Sequence, residues 1–167
     1  MHFKRIHAFT AAAALLGMLA LGAQSAPALA GAPSGGASMP SPSFYLSTSN
    51  RTYDATVRAL VRAVKDNGLM VMGKINQAAI LSMTGLRLEG GRSFLVGNPR
   101  SGKKLFSMNP AVGAVLPLRI YVWAEHGKAY IGYFKPSVLL GAINPKLAIP
   151  GRMLDKKFNI IVSQAAR

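Results

Sequence analysis

Gly97-Asn98-Pro99-Arg100-Ser101-Gly102-Lys103-Lys104 nearly spells a glycine-rich phosphate-binding loop. In such a loop backbone N–H groups point at the phosphate, and a Ser or Thr after the lysine holds magnesium. Here Lys104 stands where the hydroxyl belongs, and Pro99 removes a backbone N–H. Nucleotide hydrolysis is not expected. Contact with an anion through Arg100, Lys103 and Lys104 remains, beside the plainer reading of a solvated turn.

Other chemistries are thinly supplied. Met70 and Met72 would fall on one strand face and offer two thioethers to copper(I). Methionine in a strand is more often core filler. There is no Cys, and His126 is the one His beyond the N-terminal segment. The five acids, Asp54, Asp66, Glu89, Glu125 and Asp155, are scattered at helix ends, turns and the surface. Many serines are present, but no second His to build a base and its orienting partner. The expectation is a non-enzymatic protein without cofactor or metal.

The positive lead is aromatic. Leu118, Ile120 and Val122 alternate with Arg119, Tyr121 and Trp123, and Glu125-His126-Gly127-Lys128 signals a hairpin with a His126-Gly127 loop. That register pairs Val122 with Ile131, Trp123 with Tyr130, Ile120 with Tyr133 and Arg119 with Phe134. One face is then aliphatic plus Tyr133. The other gathers Arg119, Tyr121, Trp123, Tyr130 and Phe134, an amphipathic patch suited to an interface or ligand. The competing reading is that the C-terminal helix covers it.

The elements that would place these residues are readable in order. Phe44–Ser49 suits a strand. Thr52 caps a helix with Asp54 in its first turn and apolar residues at Val57, Leu60, Val61 and Val64, closed by Asn67-Gly68. Its outer face carries Arg58, Arg62 and Lys65, either a solvated basic face or an anion-facing stripe. Leu69 to Ile75 is a second strand. Asn76 caps a short helix through Met83, ended by Gly85. Glu89-Gly90-Gly91-Arg92 reads as a turn into the Phe94-Leu95-Val96 strand. After Lys135-Pro136, a short helix spans Ser137 to Ala142. Asn144-Pro145 and Pro150-Gly151 interrupt the chain, and Arg152 to Gln164 forms the last helix.

Lys4 and Arg5, the uncharged run from Ala8 to about Ala23, and Ala28-Leu29-Ala30 make residues 1–30 a secretory signal peptide by expectation, with Ala23-Gln24-Ser25 an earlier candidate cut. The apolar run is short for a membrane span, which needs about 20 residues. No span is expected after cleavage, and the protein should be periplasmic or extracellular. Gly31 to Ser43 is a Gly/Pro/Ser-rich leader unable to bury enough apolar surface to order itself. Residues 44–167 suit a single α/β domain. Lys and Arg number 20 against 5 Asp and Glu, a net charge of +15. Such imbalance fits an anionic envelope partner or an acidic environment, where few carboxylates leave little to protonate. No run of five like charges occurs, so nucleic acid is not the expected partner.

Five pieces recur in an order that resembles the domain-of-unknown-function 302 family. They are the capped first helix ending near Gly68, Ile75-Asn76-Gln77-Ala78, Phe94-Leu95-Val96-Gly97-Asn98-Pro99, Asn109-Pro110…Gly113…Leu116-Pro117-Leu118, and Tyr133-Phe134-Lys135-Pro136. The resemblance covers roughly residues 52–140, with 141–167 matching poorly. It implies a small α/β domain: a curved, mainly antiparallel sheet of four to five strands with helices on one face, often self-associating. It implies no activity, cofactor or catalytic residue. Two departures are visible: Asn76 stands where the family often has Asp, and Phe134-Lys135 where it often has an acidic pair.

The functional expectation is an exported binding or self-association module working through its aromatic sheet face. The alternative is a peripheral envelope protein on anionic lipid or polysaccharide.

Overall fold

A computed structural model describes residues 43–167. The expected signal peptide, and all of the leader but Ser43, lie outside the described residues. In chain order the elements are β1 (Phe44–Ser49), α1 (Tyr53–Asp66), β2 (Met70–Ile75), α2 (Gln77–Ser82), β3 (Gly90–Gly97) and α3 (Pro99–Met108). A 3-10 turn (Pro110–Ala114) leads to β4 (Leu118–Glu125), β5 (Lys128–Phe134) and α4 (Pro136–Ile143). A second 3-10 turn (Pro145–Leu147) leads to α5 (Ala148–Ala166). The five strands form one antiparallel sheet in the order β1-β5-β4-β3-β2.

The hairpin between β4 and β5 sets which side chains face which way. His126 and Gly127 both take positive φ, 51° and 72°, the backbone that a two-residue hairpin loop needs. Glu89 fastens the tip: its carboxylate accepts the His126 and Gly127 N–H groups at 2.9 Å each. The ladder pairs Val122 with Ile131 and Trp123 with Tyr130, as the alternation predicts. It ends at Tyr121–Gly132, before the expected Ile120–Tyr133 and Arg119–Phe134 pairs. Tyr133 and Phe134 pair instead with Tyr45 and Phe44 of β1.

One face of the sheet is the core. Phe94, Val96, Leu118, Ile120, Val122, Ile131 and Tyr133 are buried there, under Leu60 and Val64 of α1 and Phe158, Ile161 and Val162 of α5. Thr52 Oγ1 caps α1 by accepting the Ala55 N–H at 3.4 Å. A smaller cluster of Leu105, Val112, Leu140 and Leu147 joins α3, α4 and the two 3-10 turns. The end of the domain is tied to its beginning. The Ala166 carbonyl accepts the Asn50 N–H at 2.7 Å, and buried Ser49 links it to Thr56 of α1.

Three local expectations change. Gly90-Gly91-Arg92 is strand, paired with Ala124, Trp123 and Val122. These glycines make room for tyrosines rather than a turn: a Cβ on Gly90 would meet the Tyr53 ring at 2.8 Å, and one on Gly91 the Tyr121 hydroxyl at 2.7 Å. Pro150-Gly151 does not interrupt the last helix, because Pro150 lies in the first turn of α5, where its missing N–H has no intrahelical acceptor to lose. Residues from Pro99 to Lys104 are helix, not a solvated turn.

Two glycines in helices should respond oppositely to alanine. A Cβ on Gly151 would fall on the Ser137 backbone where α4 crosses α5. Gly151→Ala is expected to destabilise by about 1–3 kcal/mol. At Gly102 a Cβ meets nothing within 4 Å. Gly102→Ala should stabilise by about 0.5–1 kcal/mol. Urea denaturation reads both.

Tyr133 donates to Asn159 Oδ1 at 2.5 Å and packs on Tyr45 and Phe158. Burial, then the Tyr45 phenol and the Asp155 carboxylate, hold its phenol far above the ordinary value of 10.0. The unfolded chain therefore releases this proton first. Stability is fully present below pH 10 and should fall as pH rises beyond it. Tyr133→Phe should lose about 1 kcal/mol at neutral pH but give a shallower alkaline decline.

Candidate functional site

The motif that nearly spells a phosphate loop builds a cavity wall. Asn98 accepts the Arg100 and Ser101 N–H groups at 2.9 and 3.3 Å, so Gly97 ends β3 and α3 begins at once. Pro99 is at the first helical position, where proline is favoured. The Asn98 amide also donates to the Gly68 carbonyl at 2.9 Å, pinning α3 to the turn before β2. On the far side, the Leu116–Pro117 turn brings the chain back into β4, and α5 lies beneath.

Between these parts is a cavity of about 320 Å³. Its apolar lining comes from Leu69, Val96 and Leu118 at the sheet, Leu105 and Phe106 on α3, Leu116-Pro117, and Leu154 and Phe158 on α5. The polar side chains that line it are Asn98, Ser101 and Lys103, with no carboxylate among them. Ser101, Lys103 and Phe106 are exposed, so they mark its open side.

The expected anion contacts are spread over two helices, α1 and α3. Lys103 lines the cavity, while Arg100 and Lys104 are exposed on the same helix without lining it. Arg58, Arg62 and Lys65 are exposed on α1. Arg62 borders a separate shallow groove with Arg51, Asp66 and Gln164. Met72 lines the cavity but Met70 does not. The two are 54% and 56% exposed, so neither fills the core. Among the described residues no three His, Cys, Asp or Glu side chains cluster as a metal site would need.

Two of the five acids serve the backbone. Glu89 fastens the hairpin, and Asp155 accepts the Ser137 N–H at 2.9 Å. Asp54 sits in the first turn of α1, where the helix dipole favours it. Among the described residues the one contact within 4.0 Å between a carboxylate and a basic side chain is the exposed Glu125–His126 contact. No described Lys or Arg has a carboxylate that close.

The aromatic face exists, but not as an open platform. α5 covers the opposite, aliphatic face. α2 reaches the β3 side instead: Gln77 donates to Ser93 Oγ at 2.5 Å and accepts the Ser93 N–H at 3.0 Å. Tyr121, Trp123 and Tyr130 stack on one another, with ring centroids 5.4 and 5.3 Å apart and planes 13° and 21° from parallel. Rings so arranged spend faces on their neighbours, which suits cross-strand stabilisation better than capture of a flat ligand. Burial, with the Tyr53 phenol adding to it, pushes the Tyr121 phenol up. Phe134 lies apart, edge-on to Phe44 at 5.1 Å and 54% exposed. Arg119 is exposed on the same face.

The cavity was not foreseen. Its apolar lining comes from β3, β4, α3, α5 and the residues before β2 and β4, each ordinary core by pattern. The available signal was the pair of turn motifs, Gly97-Asn98-Pro99 and Leu116-Pro117, which flank it.

Comparison with curated proteins finds no match. A crystal structure of an uncharacterized conserved protein of this kind, DUF302, from Bacillus stearothermophilus superposes with a TM-score of 0.70 at 24% identity, covering 76% of this chain and 100% of that one. At that identity the likeness concerns the fold. The family model for the domain of unknown function DUF302 matches residues 45–161, so it reaches through most of α5, beyond the motifs that end near residue 140. The chain belongs to the domain of unknown function DUF302 family.

Proposed function

We propose that this domain is an exported, non-catalytic binding module for a small amphipathic anion. The apolar part enters the cavity between α3, the Leu116–Pro117 turn and α5, and the anionic end meets Lys103. One observation carries this reading: an apolar cavity whose lining includes a lysine and no carboxylate. Its volume falls at the lower end of the roughly 300–1,000 Å³ usual for ligand sites. Arg100 and Lys104 on the same helix add to the attraction without direct contact.

Calorimetric titration with decanoate, and with decanol as the uncharged control, tests it. Decanoate should bind more tightly than decanol. Lys103→Gln should weaken decanoate about fivefold, the worth of a partly exposed ion pair of about 1 kcal/mol, and leave decanol unchanged. Gly102→Leu, whose Cβ would meet nothing within 4 Å and whose side chain would stand at the cavity wall, should obstruct both. Heat signals that ignore both substitutions would remove the cavity as the site.

A second reading, self-association, is favoured by the β1 side of the aromatic face. Leu46 is 40% and Phe134 54% exposed there, and β1 is an edge strand carrying no charge. Two copies could meet at it without opposing like charges. Sedimentation should then show a dimer that Phe134→Ser weakens. A monomer at all concentrations would end this reading.

A further inference from the structure

α5 has two faces. Gly151, Phe158, Ile161, Val162 and Ala165 are buried. On the opposite side Ile149, Met153 and Ile160 are 62%, 72% and 51% exposed. Their spacing, i, i+4 and i+11, keeps them on one line of the helix, with Lys156 at i+7 and Arg152 beside it. Arg152 and Lys156 are both exposed. The acid of this helix, Asp155, is turned toward α4, where it holds the Ser137 N–H. Lys157 is occupied too, donating to the Asn67 carbonyl at 3.0 Å. The outer face is therefore an aliphatic stripe with two cations and no acid.

This combination separates α5 from the basic face of α1. The outer face of α1 carries Arg58, Arg62 and Lys65, but no large exposed apolar residue. A solvated face needs only charge. Aliphatic side chains left in water at helical spacing among cations fit a surface that is apolar below and anionic above. A second copy fits poorly, because a two-fold contact would set Arg152 and Lys156 of each chain against those of the other with no carboxylate between them.

We propose that the outer face of α5 docks on a bilayer containing anionic lipid. Ile149, Met153 and Ile160 enter the headgroup–acyl boundary, and Arg152 and Lys156 meet the headgroups. The helix lies in the interface. No helix among the described residues is long and apolar enough to cross a membrane. The proposal does not depend on the cavity being a ligand site.

The chain has no cysteine, so one introduced thiol can be labelled alone. Met153→Cys carries an environment-sensitive nitrobenzoxadiazole dye, and Arg58→Cys on α1 carries the same dye as control. On vesicles of phosphatidylcholine with phosphatidylglycerol, the dye at position 153 should shift to the blue and become shielded from aqueous quencher. The dye at position 58 should do neither. Pure phosphatidylcholine should give no shift. Arg152→Gln with Lys156→Gln should lower partitioning about 30-fold, at about fivefold per basic residue near an anionic surface. Equal shifts at both positions would mean general adsorption, and would overturn the proposal. So would no shift at position 153, or a shift that grows with protein concentration in the absence of vesicles.

Discussion

The fold rests on the register of the β4–β5 hairpin. Successive strand residues face opposite ways, so a slip of one residue would send Ile120, Val122 and Ile131 into water and bring Trp123 and Tyr130 into the core. Two devices hold it. His126 and Gly127 accept the left-handed backbone, and the Glu89 carboxylate holds both their N–H groups. A non-glycine residue in that conformation is costly unless its surroundings require it, and here the carboxylate of Glu89, just before β3, does. With the register set, α1 and α5 have a continuous aliphatic surface to cover. β1 joins the far side of β5, and β3 joins β4 with its two glycines under tyrosine rings.

The shortage of acids shapes the surface as much as its abundance of bases. Two of the five carboxylates accept backbone N–H groups, and a third lies at a helix N-terminus. Each does more there than in an exposed ion pair, whose worth is commonly below about 1 kcal/mol. The Lys and Arg side chains are consequently left without a carboxylate within 4.0 Å among the described residues. They differ in what accompanies them: nothing apolar on α1, a cavity beside α3, an aliphatic stripe along α5.

Much of this architecture was legible in the chain. Thr52 and Asn76 are local caps whose partners lie three residues away, so a sequence displays them in full. The two faces of the hairpin follow from strict alternation. Gly90-Gly91 misled because a glycine pair looks the same whether it bends the chain or clears space for a ring, and the rings belong to Tyr53 and Tyr121, remote in sequence. Pro150 misled because its effect depends on whether it falls in a first turn or an interior. The cavity was invisible for a related reason. Leu69, Val96, Leu116 and Phe158 each satisfy an ordinary core pattern, and only their assembly leaves a gap.

The bond between Ala166 and Asn50 has a consequence for how the chain comes into being. A ribosome delivers β1 first and α5 last, yet β1, α1 and the end of α5 share one polar knot through Ser49 and Thr56. α5 also supplies Phe158, Ile161 and Val162 to the cover of the sheet. A chain lacking that helix keeps α1 over the aliphatic sheet but leaves the part under Phe158, Ile161 and Val162 uncovered. The native cover of the sheet and its polar knot are thus complete only once α5 has been made.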